Sequence, residues 1–167
     1  MAITLNKLEQ YLDELDFNYQ QKDEDTLLTG AKDENGQVMI VIRLMEDGEF
    51  LQIRTVQHLD DLVKEANDEN RAALLSWMLY RNYQTKLGAW EYDPSDHDHH
   101  ISIGFGIEDG DLTLKQFARM LNTITKSCEI IPEMKQVLGV EAEIDPKELK
   151  RQELLAQLAA LDGNTGI

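Results

Sequence analysis

Apolar positions near the start of the chain recur at helical steps. Leu5, Leu8, Leu12 and Leu15 fall three and four residues apart and make one stripe. Thr4 stands where an N-cap belongs, with Ile3 and Leu8 placed as a hydrophobic staple. The pattern dissolves over 17–22, and a strand is predicted over 26–32. Asn35-Gly36 is the favoured pair for a tight hairpin turn. The next stretch, 37–45, carries VMIVIRLM, apolar on nearly both faces, as befits a central strand covered by helices on one side and partly covered on the other. Glu46-Asp47-Gly48-Glu49 turns the chain, and 50–56 alternates again. Three consecutive antiparallel strands follow from this pattern.

The connector 59–66 has room for a short helical turn, after which Asn67 or Asp68 caps a helix reaching about Lys86. Its apolar side chains occupy most of the circumference. Ala72, Ala73, Leu79, Tyr80, Tyr83 and Leu87 form one stripe, and Leu74, Leu75, Trp77 and Met78 cover much of the rest. Such a helix needs cover on more than one side, from other helices of the chain or from a second subunit. Leu74, Trp77, Met78 and, on the following strand, Trp90 are the candidate interface residues, because aromatics supply large contact area at small entropic cost.

A strand around Leu87, Trp90 and Tyr92 leads into the turn Asp93-Pro94-Ser95-Asp96. Ile101, Ile103, Phe105 and Ile107 then alternate with Ser102, Gly104, Gly106 and Glu108, the period of a strand with one buried face. Thr113 and Gln116 have capping-box spacing, with Leu112 and Phe117 as its staple. Phe117, Leu121, Ile124 and Cys128 give that helix its inward face. Pro132 marks another helix start, with Met134, Val137 and Leu138 in a short turn stopped by Gly139. A linker follows over 140–144. Asp145-Pro146-Lys147-Glu148 then opens a last amphipathic helix carrying Leu154, Leu155, Leu158 and Leu161, and Gly163 stops it. The expected fold class is α+β: a two-layer molecule, an antiparallel sheet of about five strands with helices packed on one face, in the order α-β-β-β-α-β-β-α. Residues 1–139 form the domain, and 140–167 are a linker and accessory helix.

Composition narrows the function. The chain has 167 residues and an apolar fraction of 42%, enough for a core in one domain. Its formal charge of −16, with no local Lys/Arg cluster, argues against nucleic acid and anionic membranes as partners. No run of ~18 apolar residues is present, so no transmembrane helix is expected. The opening MAITLNKLEQ lacks the features of a secretory leader, and the lone Cys128 fits a reducing cytoplasm.

Candidate chemistry concentrates in one turn. His97, His99 and His100 lie among Asp93, Asp96 and Asp98, residue types suited to zinc, nickel or copper. Their spacing matches neither a helical zinc motif nor a calcium loop, and a polar hairpin tip accounts for them equally well. Gly104, Gly106 and Gly110 imitate part of a phosphate loop without the surrounding βαβ unit. Cys128 falls on a buried stripe and reads as a core thiol. His58 has no evident Ser, Cys or carboxylate partner in the sequence, and no spacing singles out an acid/base pair.

Leu74-Leu75, Asn82-Tyr83, Lys86-Leu87-Gly88, Trp90, Asp93-Pro94, the strand 101–107 and Leu112-Thr113 together resemble the YbjN family, bacterial sensory transduction regulator-like proteins with the type III secretion chaperone-like fold. The likeness extends over about 3–138 as topology and over 74–117 as motif. It departs in the histidine-rich turn and in the helix after Asp145. The resemblance implies an acidic, cytoplasmic, homodimeric protein that binds other polypeptides, with no catalytic residues and no cofactor. The reading is therefore a non-enzymatic, chaperone-like or regulatory protein-binding module. The alternative is a metal-binding module at 93–100, using His97, His99, His100, Asp96 and Asp98.

Overall fold

The structure is a computed structural model, and it describes residues 3–56 and 58–140. The expected C-terminal helix, and with it the division at 139/140, lies outside the described residues.

Helix α1, Leu5–Glu14, opens as its sequence directs: the Thr4 hydroxyl accepts the Lys7 N–H, and Leu8, Tyr11 and Leu12 are buried. After a two-residue strand β1, Gln20–Gln21, come β2, Thr26–Asp33, and β3, Gly36–Met45. A short 3-10 turn, Glu46–Gly48, leads into β4, Phe50–Val56. Two helices follow, α2, Asp60–Glu65, and α3, Asp68–Gln84. The hairpin β5, Ala89–Tyr92, and β6, His99–Gly106, precedes α4, Leu114–Thr125. A 3-10 stretch, Lys126–Ile130, passes into α5, Ile131–Val137.

Among the described residues six strands form one antiparallel sheet in the order β1-β2-β3-β4-β6-β5. The additional strand is β1, too short and too polar to announce itself by alternation. Register aligns Leu27, Ile42, Ile53 and Ile103 in one row across four strands. All four side chains are buried. They form the floor on which α4 lies, with Phe117, Leu121 and Ile124 pointing inward. The α4 capping box is complete, and its staple residues Leu112 and Phe117 are both fully enclosed. Tyr11 of α1 donates from its hydroxyl to Leu112 O at 2.6 Å, tying the first helix to the start of the fourth. On the opposite face of β3, Met39 and Arg43 are exposed while Val41 and Met45 are half-buried, so that face is partly covered, as the pattern implies.

Two local differences have clear causes. The β2–β3 register pairs Asp33 with Gly36, which places Glu34-Asn35 at the centre of the turn, one position before the Asn35-Gly36 pair. Asp33 Oδ1 accepts the N–H groups of Asn35 and Gly36 at 2.8 and 3.1 Å, and this side-chain turn sets the register. Helix α3 buries only Leu74 and Met78, so it is enclosed on one side rather than several. Leu79, Tyr80 and Tyr83 stand outward, 70%, 60% and 89% exposed.

Candidate functional site

The turn between β5 and β6 is built by its carboxylates acting on the backbone. Asp93 Oδ1 accepts the Ser95 N–H at 2.8 Å, and Asp96 Oδ1 accepts the Asp98 N–H at 3.0 Å. The hydrogen bonds from the Ser95 side chain and backbone hold the Asp93 carboxyl below the ordinary range. His97 sits in the left-handed region, φ 65°, and its Nδ1 shares a hydrogen with the Tyr92 hydroxyl at 2.6 Å.

Strand alternation then separates the other two imidazoles. His99 turns into the core and is fully buried, while His100 pairs across strands with Glu91, Nε2 to Oε2 2.8 Å. Three histidines that look clustered in sequence thus face three directions. Among the described residues no group of three His, Cys, Asp or Glu side chains is arranged to hold a metal ion. The metal-binding alternative gains no support from this geometry.

A different histidine has the most unusual surroundings. His58 lies at the end of β4, buried beside Trp90 (ring centroids 5.2 Å apart) and His99 (6.3 Å). Its Nε2 lies 2.9 Å from Ser127 Oγ, a partner 69 positions away that no local spacing reveals. Burial, then the neighbouring imidazoles of His99 and His100, push the His58 pKa down to about 3. Burial also lowers His99, against the opposing pull of the His97 carbonyl and of Asp60 and Asp98.

A Ser–His pair invites comparison with nucleophilic catalysis, but the arrangement lacks what that chemistry needs. His58 Nδ1 and Asp60 Oδ1 are each buried without a hydrogen-bond partner, so no carboxylate orients the ring. An imidazole with its pKa near 3 is a weak base toward a hydroxyl, and Ser127 is only 2% exposed. An open cleft of about 450 Å³ passes beside His58, Leu59, Asp60, Asp61, Leu62 and Lys135. Its titratable groups do not converge on one point by hydrogen bonding.

The surface around α3 is the remaining candidate. Leu74 and Met78 point into the chain's own core, as does Trp90 from β5. Trp77 is half-buried; its indole N–H donates to Glu133 Oε1 of α5 at 2.8 Å, and its ring packs 5.8 Å from that of Trp90. Arg81 lies over the same indole and also pairs with Glu133. These four aromatic and apolar residues join α3 to β5 and α5 within the chain. The outward side chains of α3 are Leu79, Tyr80 and Tyr83, with Ala72, Ala73 and Ser76 above them. Helical spacing alone could not separate the two sides, because both are apolar.

The family profile described as "Putative bacterial sensory transduction regulator", YbjN, matches residues 4–131. The chain belongs to the YbjN family. Residues 4–131 run from the cap of α1 to the first residue of α5, so the YbjN match takes in the whole sheet. No curated protein sequence matches the chain. Solved structures that share its fold include two protein complexes. A chain of the HopA1-SchA chaperone-effector complex superposes with TM-score 0.50 at 12% identity, over 75% of this chain and 90% of that one. A chain of the ExsC-ExsE complex superposes with TM-score 0.51 at 16% identity, over 78% and 93%. The YbjN chain therefore has the type III secretion chaperone-like fold that its element order implies.

Proposed function

We propose that this protein is a non-enzymatic, chaperone-like or regulatory binding module in the cytoplasm, acting on other polypeptides as a homodimer. The observation that carries this reading is the outward side of α3. Leu79, Tyr80 and Tyr83 form an exposed apolar surface on a chain of formal charge −16, where most exposed positions are charged or polar. Both fold relatives were solved as complexes, one of them named a chaperone with its effector. The buried Ser127–His58 pair, without an orienting acid, supplies no competing enzymatic reading.

Sedimentation equilibrium across the micromolar range tests the dimer. The expected mass is twice the 19.1 kDa of the chain, and Leu79→Glu with Tyr83→Glu returns it to one chain mass. A wild-type protein of single-chain mass throughout that range would remove the seam. Affinity purification of both forms from native extract, with mass spectrometry, asks whether a polypeptide partner is retained by the wild type and lost by the variant.

A further inference from the structure

We infer that the cleft between the end of β4, α2 and α5 is a binding site for a small zwitterion, a free α-amino acid with an apolar side chain. The cleft has a volume of about 450 Å³ and is lined by His58, Leu59, Asp60, Asp61, Leu62 and Lys135. Small-molecule sites run from about 300 to 1,000 Å³, so it has room for such a ligand. None of these residues lies on α3, and the site stands apart from the proposed seam.

Its wall holds hydrogen-bonding capacity that the chain leaves unused. His58 is only 7% exposed, and its ring is fixed through Nε2 against Ser127 Oγ at 2.9 Å. Its Nδ1 is buried with no hydrogen-bond partner, and so is Asp60 Oδ1. The great majority of buried polar atoms in folded proteins are paired. Two that are not, on residues lining one cleft, mark a place where another molecule supplies the partner. Burial holds the His58 pKa at about 3, so the imidazole offers a ligand a hydrogen-bonding position and no charge.

Charge selects the ligand. Asp60 and Asp61 enter the cleft from the first turn of α2, and Lys135 from the last turn of α5. Among the described residues none of the three is in an ion pair, so acid and base line one cleft without neutralising each other. A simple anion would meet two aspartates and a chain of formal charge −16. A simple cation would leave the Lys135 ammonium unpaired. A molecule with both charges uses all three groups: its ammonium takes Asp60 and Asp61, and its carboxylate takes Lys135. In an α-amino acid the two charges share one carbon, which suits so small a cleft. Leu59 and Leu62 supply the rest of the lining, and they match a side chain that is apolar.

The test is titration of L-leucine into the full chain, followed by calorimetry and by tryptophan fluorescence. Trp90 is the local reporter, since its ring lies 5.2 Å from that of His58. One saturable site per chain is expected, with a Kd below about 1 mM. Leucinamide keeps only the ammonium and N-acetyl-leucine only the carboxylate, and each should bind at least about tenfold more weakly. Lys135→Met should weaken leucine and narrow its advantage over leucinamide. Asp61→Asn should weaken leucine and narrow its advantage over N-acetyl-leucine. Both positions are exposed, so neither replacement threatens the fold. No saturable binding by the wild type up to about 10 mM, or binding that ignores both replacements, would overturn the inference. Equal affinity for leucine and leucinamide would also overturn it, because the cleft would then take cations.

Discussion

The side-chain amide of Asn82 exchanges two hydrogen bonds with the backbone of Trp90. Trp90 N–H donates to Asn82 Oδ1 at 2.7 Å, and Asn82 Nδ2 donates to Trp90 O at 3.0 Å. Asn82 thereby stands in for a neighbouring strand at the edge of the sheet, satisfying the two outward groups of β5 at its most buried residue. Asn82→Ala leaves both groups without partners and is expected to cost about 1–3 kcal/mol in urea denaturation. Amide exchange at Trp90 should rise with it. Wild-type stability and protection in the variant would show that water replaces the amide without penalty.

His58 makes stability depend on pH. Its folded pKa of about 3 lies below the ordinary 6.5, so under acid the unfolded chain binds the proton that the folded chain refuses. The contribution is full above pH 6.5 and falls as pH drops from 6.5 toward 3. Each unit in that window removes about 1.4 kcal/mol per proton. His99, lowered in the same sense, adds to the slope. His58→Gln should flatten the dependence of unfolding free energy on pH between 7 and 5, by up to one proton's worth. An unchanged slope would locate the acid sensitivity elsewhere.

Gly88 joins α3 to β5 in the left-handed region, φ +82°. A Cβ there would lie 3.0 Å from Ile103 Cγ1 and 3.2 Å from Ser102 O, one of them backbone that cannot step aside. Gly88→Ala is expected to cost about 1–3 kcal/mol from the positive φ and the contact together. A thermal melt matching wild type would mean the turn re-forms with another geometry.

Much of the fold was legible because local and long-range signals agreed. Thr4, Asn67 and Thr113 sit at helix starts, and each accepts the backbone N–H its spacing implies. The row Leu27, Ile42, Ile53 and Ile103 crosses four neighbouring strands, and in two of them, 50–56 and 101–107, period-two alternation marks the inward positions directly. The candidate site was less legible, for reasons of geometry. His97, His99 and His100 are neighbours in sequence, but alternation and a positive φ at His97 send them apart. Ser127, in the 3-10 stretch after α4, meets His58 across 69 positions of sequence, a contact that only the tertiary fold makes. On α3, composition could say that the helix is apolar all round, yet only the positions of β5 and α5 decide which side is enclosed.

That divergence has a direct consequence for metals. Zinc titrated calorimetrically into metal-free protein is expected to give no saturable heat at micromolar concentration. Replacement of His97 and His100 by Ala should leave the titration unchanged, since His100 already pairs with Glu91 and His97 with Tyr92. Stoichiometric heat abolished by those replacements would show the turn rearranging around an ion.

The two sides of α3 should respond oppositely to truncation. Leu74 is fully buried in the core, so Leu74→Ala leaves a cavity and is expected to cost about 2–5 kcal/mol. Leu79→Ala and Tyr83→Ala, on the exposed side, should change the unfolding free energy of the single chain by no more than about 0.5 kcal/mol. Whatever contact the outward stripe makes must weaken in those two variants, read as a change in mass by sedimentation or as faster exchange along the outer face of α3. If both variants matched wild type in association and in exchange, the stripe would be solvent-facing in solution, and no second copy would rest on it.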